Sequence, residues 1–101
     1  MGILITSAMS AKAHGLKNQL NNNNGHIILG DYHDLPQFML SDKLIKLPDP
    51  ALASYAHQML SLCLDNSISI IYVLDNKEAG QLTEARQLFA EYDIEINTDD
   101  I

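Results

Sequence analysis

The sequence is short of the residues that mark several common classes of protein. It has no tryptophan, a single cysteine (Cys63), and only six lysine and arginine residues against thirteen aspartate and glutamate residues, so its net charge is −7. Nucleic acids and anionic membranes attract basic patches, so this balance argues against both as partners. A single cysteine cannot form a disulfide within the chain, which favours a reducing, cytoplasmic setting.

Long apolar runs are also missing. No stretch approaches the roughly 20 apolar residues that span a membrane, and the first residues lack the basic start and apolar core of a signal peptide. The remaining composition is typical of a folded domain, with 47% hydrophobic and 19% charged residues in a chain of 101. A chain of this length supports a single domain over residues 1–101.

Short β-branched runs alternate with amphipathic stretches along the chain. Helices are expected to begin at Ser10, whose side chain can cap the first turn, and at Asp49-Pro50, a carboxylate followed by proline. The asparagine-rich residues 21–25 predict a helix stop and a turn. The predicted strands are residues 2–6, 26–29, 44–47, 68–74 and 94–97, and the predicted helices are residues 10–20, 49–65 and 78–92, with one helical turn within 34–40. The side chains predicted to face inward on the last two helices are Leu52, Tyr55, Ala56, Met59, Leu60 and Cys63, and Ala79, Leu82, Ala85, Phe89 and Tyr92.

This alternation predicts an α/β fold. Strands joined through helices form right-handed crossovers and a parallel sheet. We expect a three-layer, Rossmann-like domain with about five parallel strands in the order 3-2-1-4-5.

The predicted topology places a candidate ligand cleft at the switch point between strands 1 and 4, outside the carboxyl ends of the strands. The loop after strand 1 opens a helix whose free N–H groups can hold an anion, although its serines can equally serve as caps. Acids after strands 2 and 4 can face a ligand, or can simply suit a turn or a helix start. The candidate ligand-binding residues are Ser7, Ala8, Met9, Ser10, Asp31, Asp75 and Glu78.

The sequence lacks the motifs that mark several specific kinds of binding site and active site. The glycine-rich dinucleotide and P-loop motifs are absent. The four histidines do not have the spacing of a metal site, and Cys63 lies on the inner face of a predicted helix, where a thiol is inert. A phosphoacceptor receiver domain needs paired acids after strand 1, whereas this strand ends in Thr6-Ser7. We therefore predict no catalytic residue and no metal site.

Three stretches carry a resemblance to a known family. They are residues 3–8, a strand and its loop; residues 30–48, with Gly30-Asp31-Tyr32 and Leu47-Pro48; and residues 73–86, a strand and the following helix. In this order they resemble the N-terminal pre-ATP-grasp domain of ATP-grasp ligases, in the group of the carbamoyl-phosphate synthase large subunit and the pyrrolysine-biosynthesis ligase. The chain departs from that group at Met9, where a glycine is usual, and Lys12 is the only basic residue nearby.

The resemblance implies a non-catalytic substrate-cleft domain of a ligase that makes an acyl-phosphate and transfers it to an amine. In that family a separate ATP-grasp domain holds ATP and magnesium. No such domain is in this sequence, so no cofactor is expected in this chain, and its implied partner is an ATP-grasp domain or another protein. The alternative is a stand-alone Rossmann-like module that binds a small ligand or a protein, or that forms a homodimer through strand 5. The polar, acidic residues 97–101 favour that alternative.

Overall fold

The computed structural model describes residues 2–8, 10–20, 26–33, 36–40 and 44–98, with the side chain of Met39 left out. In chain order these residues form β1 (Gly2–Ile5), α1 (Ala11–Leu20), β2 (His26–Asp31), a 3-10 turn (Gln37–Met39), β3 (Leu44–Lys46), α2 (Tyr55–Asp65), β4 (Ile68–Tyr72), α3 (Asn76–Glu84), α4 (Arg86–Ala90) and β5 (Glu95–Asn97).

The strands form one parallel sheet in the order β3-β2-β1-β4-β5. In the central strand, Leu4 lies opposite Ile28 of β2 and Ile71 of β4. Every residue of β1 is buried, as expected for a parallel strand that is covered on both faces. The predicted α/β class, the parallel sheet and the strand order are confirmed, and the fold is Rossmann-like.

Two apolar clusters, one on each face of the sheet, make up the core. Side chains of successive strand residues point to opposite faces, so Ile3 and Ile5 pack with Ala13 of α1, whereas Leu4 packs with residues of α2, α3 and α4. The sheet is therefore the middle of three layers. Because all its strands run in the same direction, the carboxyl ends of β1, β2 and β4 meet at one edge.

The start of α2 differs from the prediction. We expected the helix to begin at Asp49-Pro50, but it begins at Tyr55. Asp49 instead closes a turn: its Oδ1 accepts from the Ala51 N–H at 2.9 Å and its carbonyl accepts from the Leu52 N–H at 3.0 Å. Aspartate side chains stabilise such turns in competition with helix. Leu52, predicted to face the core, is 46% exposed as a result.

The third predicted helix, residues 78–92, is two helices. It begins earlier, at Asn76, and is interrupted at Ala85, whose N–H donates to the Leu82 carbonyl only three residues back. The second piece, α4, brings Phe89 into the core and ends at Ala90. Tyr92, predicted to face inward, therefore lies beyond the helix and is half exposed.

Other boundaries shift by a few residues. Strand β2 continues to Asp31 and β4 ends at Tyr72, whereas the helical turn expected within 34–40 is confirmed at Gln37–Met39. The turn predicted at residues 21–25 lies outside the described residues, as do Met9, residues 34–35 and 41–43, and the last three residues of the chain. Among the described helices, none has the length and apolar character needed to cross a bilayer.

Candidate functional site

Thr6 and Ala8 hold the ends of the three central strands together. The Thr6 N–H donates to the Tyr72 carbonyl at 3.0 Å, and its buried Oγ1 accepts from the Leu74 N–H at 2.8 Å. The Ala8 N–H donates to the Gly30 carbonyl at 3.0 Å. These bonds connect the end of β1 to β4 on one side and to β2 on the other, at the carboxyl edge of the sheet.

The loop after β1 is a helix cap. Ser10 Oγ accepts from the Ala13 N–H at 3.1 Å, as predicted, and both its N–H and its hydroxyl donate to the Ser7 carbonyl, at 2.9 and 2.8 Å. Ser7 adopts a φ of 54° to make this turn, an uncommon value for a residue with a side chain. Ala8 is buried on the α1 face of the sheet. Met9 lies outside the described residues.

Asp75 joins the start of α3 to the end of β2. Its Oδ2 accepts from the backbone N–H groups of Lys77 and Glu78, at 3.0 and 3.1 Å. Its Oδ1 accepts from the Tyr32 hydroxyl at 3.3 Å. The first pair of bonds caps the helix, and the third links two loops that are 43 residues apart in the chain.

Glu78 lies in the first turn of α3, just after the Asp75 cap, and its side chain has no solvent exposure. The Tyr55 hydroxyl of α2 donates to its Oε2 at 2.6 Å, and its Oε1 has no hydrogen-bond partner among the described residues. Burial raises the pKa of Glu78 to about 7, since a carboxylate loses its hydration there; nearby Asp75 and Asp31 raise the pKa as well, and the Tyr55 hydrogen bond lowers it. Burial and the neighbouring carboxylates therefore favour the protonated form of Glu78.

The two tyrosines of the site remain hydrogen-bond donors. Burial is the main cause that raises the pKa of Tyr55, and the negative charge of Glu78 adds to it. Desolvation and the neighbouring Asp75 raise the pKa of Tyr32 in the same direction. Both phenols therefore stay neutral at physiological pH and donate to a carboxylate.

Asp31 and His33 complete the site at the end of β2. Asp31 is buried, and its Oδ1 accepts from the His33 N–H at 2.9 Å and lies 2.7 Å from His33 Nδ1. The His33 imidazole is largely exposed and stacks on Tyr32, with ring centroids 4.3 Å apart. An exposed imidazole therefore forms the outer rim, and a buried carboxyl lies behind it.

Of the candidates predicted from sequence, the structure brings Asp31, Asp75 and Glu78 near enough to one another that the charges of Asp31 and Asp75 both raise the pKa of Glu78. The described hydrogen bonds of Ser7 and Ser10 stay within their own loop. Sequence analysis missed Tyr32 and Tyr55 as site residues. One signal was available for Tyr55, because a tyrosine on the buried face of a helix usually needs a partner for its hydroxyl.

A groove of about 360 Å³ lies beside two residues that contact Asp75, namely Tyr32 and Lys77. Tyr32, Lys77, Gln81 and the turn at residues 49–51 line it, and Gln81 Nε2 holds that turn by donating to the Pro50 carbonyl at 2.8 Å. A second groove, of about 600 Å³, lies along β5 between Arg86 and Asn97. We place the candidate site at the first groove because Tyr32, which lines it, donates to Asp75.

The remaining reactive side chains do not extend the site. Within the described ranges, no three His, Cys, Asp or Glu side chains are grouped so that they could hold a metal ion. Cys63 is buried among apolar residues, as predicted, and this burial raises its thiol pKa to about 12. A thiol with so high a pKa is a poor nucleophile.

These features describe a Rossmann-like α/β fold with an acidic candidate site near the carboxyl ends of its strands. No family model matches the chain, and a search of the curated proteins finds no match.

Proposed function

We propose that this domain forms one wall of a small-molecule cleft, as the non-catalytic substrate-cleft domain of a protein related to the ATP-grasp carboxylate–amine ligases of the carbamoyl-phosphate-synthase type. The observation that carries the proposal is the gathering of Asp31, Asp75 and Glu78 at the carboxyl edge of the sheet. Glu78 is buried there with one carboxyl oxygen unpartnered.

The position and the chemistry of this cluster support a binding role. Ligands of doubly wound parallel sheets occupy the crevice outside the strand ends at the switch point. A buried polar atom without a partner costs about 1–3 kcal/mol, so Glu78 Oε1 is an unfavourable feature for stability alone. Perturbed carboxyl groups in such a crevice are typical of functional sites.

The loop that opens α1 supports a role in positioning a ligand, and not in catalysing its reaction. The α1 loop uses its serines as caps and lacks the glycines that let a backbone approach a pyrophosphate. ATP and magnesium would accordingly be held by an ATP-grasp domain, and this wall would orient the other substrate. The three stretches that resemble the pre-ATP-grasp domain supply the family part of the proposal.

Thermal unfolding in the presence of single compounds tests this function. The panel is ATP-Mg, ADP, NAD and a set of amino acids, each titrated to saturation. A compound that binds only the folded chain adds about 2.7 kcal/mol of stability at 100 times its dissociation constant. We expect one amino acid to raise the melting temperature in a concentration-dependent way, and we expect no shift with nucleotides.

Two variants locate the effect. Asp75→Asn keeps a good capping side chain but removes the charge, and we expect it to weaken the ligand-induced shift. Asp93→Asn is the matched control, since Asp93 is exposed and lies on the β5 groove. A shift with ATP-Mg or NAD would favour the stand-alone nucleotide-binding module instead. No shift with any compound would contradict a small-molecule role.

A further inference from the structure

We propose that two copies of this domain associate face to face, with α1 of each copy covering β4 and β5 of the other about a two-fold axis that runs along the strands. This interface uses the face of the sheet that carries α1. It therefore differs from a homodimer formed by pairing the edges of β5, and it does not depend on a ligand in the cleft.

The two faces of β4 and of the residues that follow it are covered unequally. Ile71 and Val73 point to the face that carries α2, α3 and α4, and both are buried. Tyr72 and Leu74 pack on the opposite face, at the margin of the cluster formed with α1, and remain partly exposed. Ile70 lies on the same side as Tyr72 by strand alternation and is partly exposed too. Among the described helices only α1 packs on this face, so there is room for a second helix over β4.

A groove of about 280 Å³ lies between α1 and the end of β4, and it is lined by Lys12, Gly15, Leu16, Gln19 and Leu74. The four residues from α1 are spaced three or four apart, which places them in one stripe along the helix. This stripe is the flank of α1 that faces Leu74. A helix laid over β4 would therefore contact β4 with one side and this flank of α1 with another.

Gly15 indicates that another backbone approaches α1 closely on this flank. It lies in the middle of α1 and is exposed, and a Cβ added to it would have no atom of the described chain within 4 Å. Packing within the chain therefore does not require a glycine here, although glycine weakens a helix relative to alanine. Glycine does allow close approach of a second backbone. In the proposed dimer the two copies of α1 lie side by side, and Gly15 lies where they meet.

The charges on this face favour a second copy of the chain as the occupant. Helix α1 carries Lys12 and Lys17 and no acidic residue, although the net charge of the chain is −7. On the other side of β4, Glu95 is exposed and pairs in register with Ile70, so it lies on the same face of the sheet. A two-fold axis applies each contact twice. An axis along β4 therefore brings Lys12 of each copy to the side of the interface that carries Glu95 of the other.

Sedimentation equilibrium over a range of protein concentrations tests the association itself. We expect a reversible equilibrium between monomer and dimer, with no larger species, because a face-to-face contact about a two-fold axis is closed. A chain that stays monomeric up to about 1 mM, where even weak complexes are populated, would overturn the proposal.

Gly15→Ala tests the close approach, with Gly80→Ala as its matched control. Gly80 is likewise an exposed glycine within a helix, and a Cβ added to it also meets no atom within 4 Å, but it does not line the α1–β4 groove. Alanine favours helix over glycine, so we expect both variants to raise the melting temperature at concentrations where the wild type is monomeric. We expect Gly15→Ala to weaken the dimer about tenfold or more, the effect of losing one close contact, and Gly80→Ala to leave its dissociation constant unchanged. Equal dimerisation of the two variants would overturn the proposal.

A charge exchange tests the arrangement of the two copies. We expect Lys12→Glu and Glu95→Lys each to dimerise more weakly than the wild type, because each variant places like charges on both sides of the two-fold axis. A mixture of the two variants restores both opposite-charge contacts, so we expect it to form a heterodimer with an affinity close to that of the wild type. Failure of the mixture to associate better than either variant alone would overturn the proposed arrangement.

Discussion

At the scale of single residues, the main polar feature of an otherwise apolar core is the hydrogen-bonded pair formed by Tyr55 and Glu78. Both side chains are fully buried, and their hydrogen bond is 2.6 Å long. The prediction that Tyr55 faces the core is confirmed, and Glu78 is one of the predicted candidate residues, but the sequence does not predict the contact between them. The two residues are 23 positions apart, on helices whose relative position depends on how both pack against the sheet. The local sequence pattern does not determine that packing.

The raised pKa of Glu78 has a direct consequence for stability. The pKa in the folded state, about 7, is above its ordinary value of 4.5. The protonated carboxyl therefore favours the folded state, and its contribution is present below pH 4.5 and is lost as pH rises to about 7. We expect Glu78→Gln, which cannot ionise, to gain stability over the wild type by roughly 3 kcal/mol across this window.

Urea unfolding at a series of pH values measures this difference. Glu84→Gln is the control, because its carboxylate is exposed, and we expect its free energy of unfolding to follow the wild type at every pH. A constant difference between Glu78→Gln and the wild type from pH 4 to 8 would mean that Glu78 ionises normally.

At the scale of elements, two aspartates show what local sequence can and cannot predict. Asp49 and Asp75 both precede an amphipathic stretch, and both side chains accept backbone N–H groups. Asp75 caps α3, whereas Asp49 closes a turn and α2 begins only at Tyr55. The two outcomes begin with the same local bond, so the choice depends on tertiary contacts such as the bond from Gln81 to the Pro50 carbonyl.

The cap at Asp75 predicts an ordered series of variants. We expect Asp75→Ala to lower the free energy of unfolding by about 1 kcal/mol, because two N–H groups of α3 lose their acceptor. Asparagine caps nearly as well as aspartate, so Asp75→Asn should lie close to the wild type. Chemical denaturation gives both values. An equal loss in the two variants would show that the charge of Asp75, and not its cap, stabilises the helix.

At the scale of the whole molecule, the strand order and the two-sided core followed from the sequence. Short β-branched runs alternate with helices, and this pattern allows few parallel arrangements. Leu4 of β1 lies at the centre of the result, fully buried between β2, β4 and the helices on one face. The break at Ala85 could not be predicted in the same way, because the apolar periodicity continues across it.

The difference in burial between Leu4 and Leu64 predicts a difference in how much stability each loses on substitution by alanine. Leu4→Ala should lower the free energy of unfolding by about 2–5 kcal/mol, since it removes buried methyl groups and leaves a cavity. Leu64 on α2 is 49% exposed, and we expect Leu64→Ala to cost far less. Urea unfolding of the two variants checks the contrast, and similar losses would mean that β1 is not the centre of the sheet.

The central claim is that a ligand binds where β1, β2 and β4 end. Amide chemical-shift mapping during a titration with the amino acid that stabilises the protein tests it most directly. The account predicts the largest shifts at Ser7 and Ala8, at Asp31 to His33, and at Asp75 to Glu78. Shifts confined to the β5 groove, between Arg86 and Asn97, would contradict it.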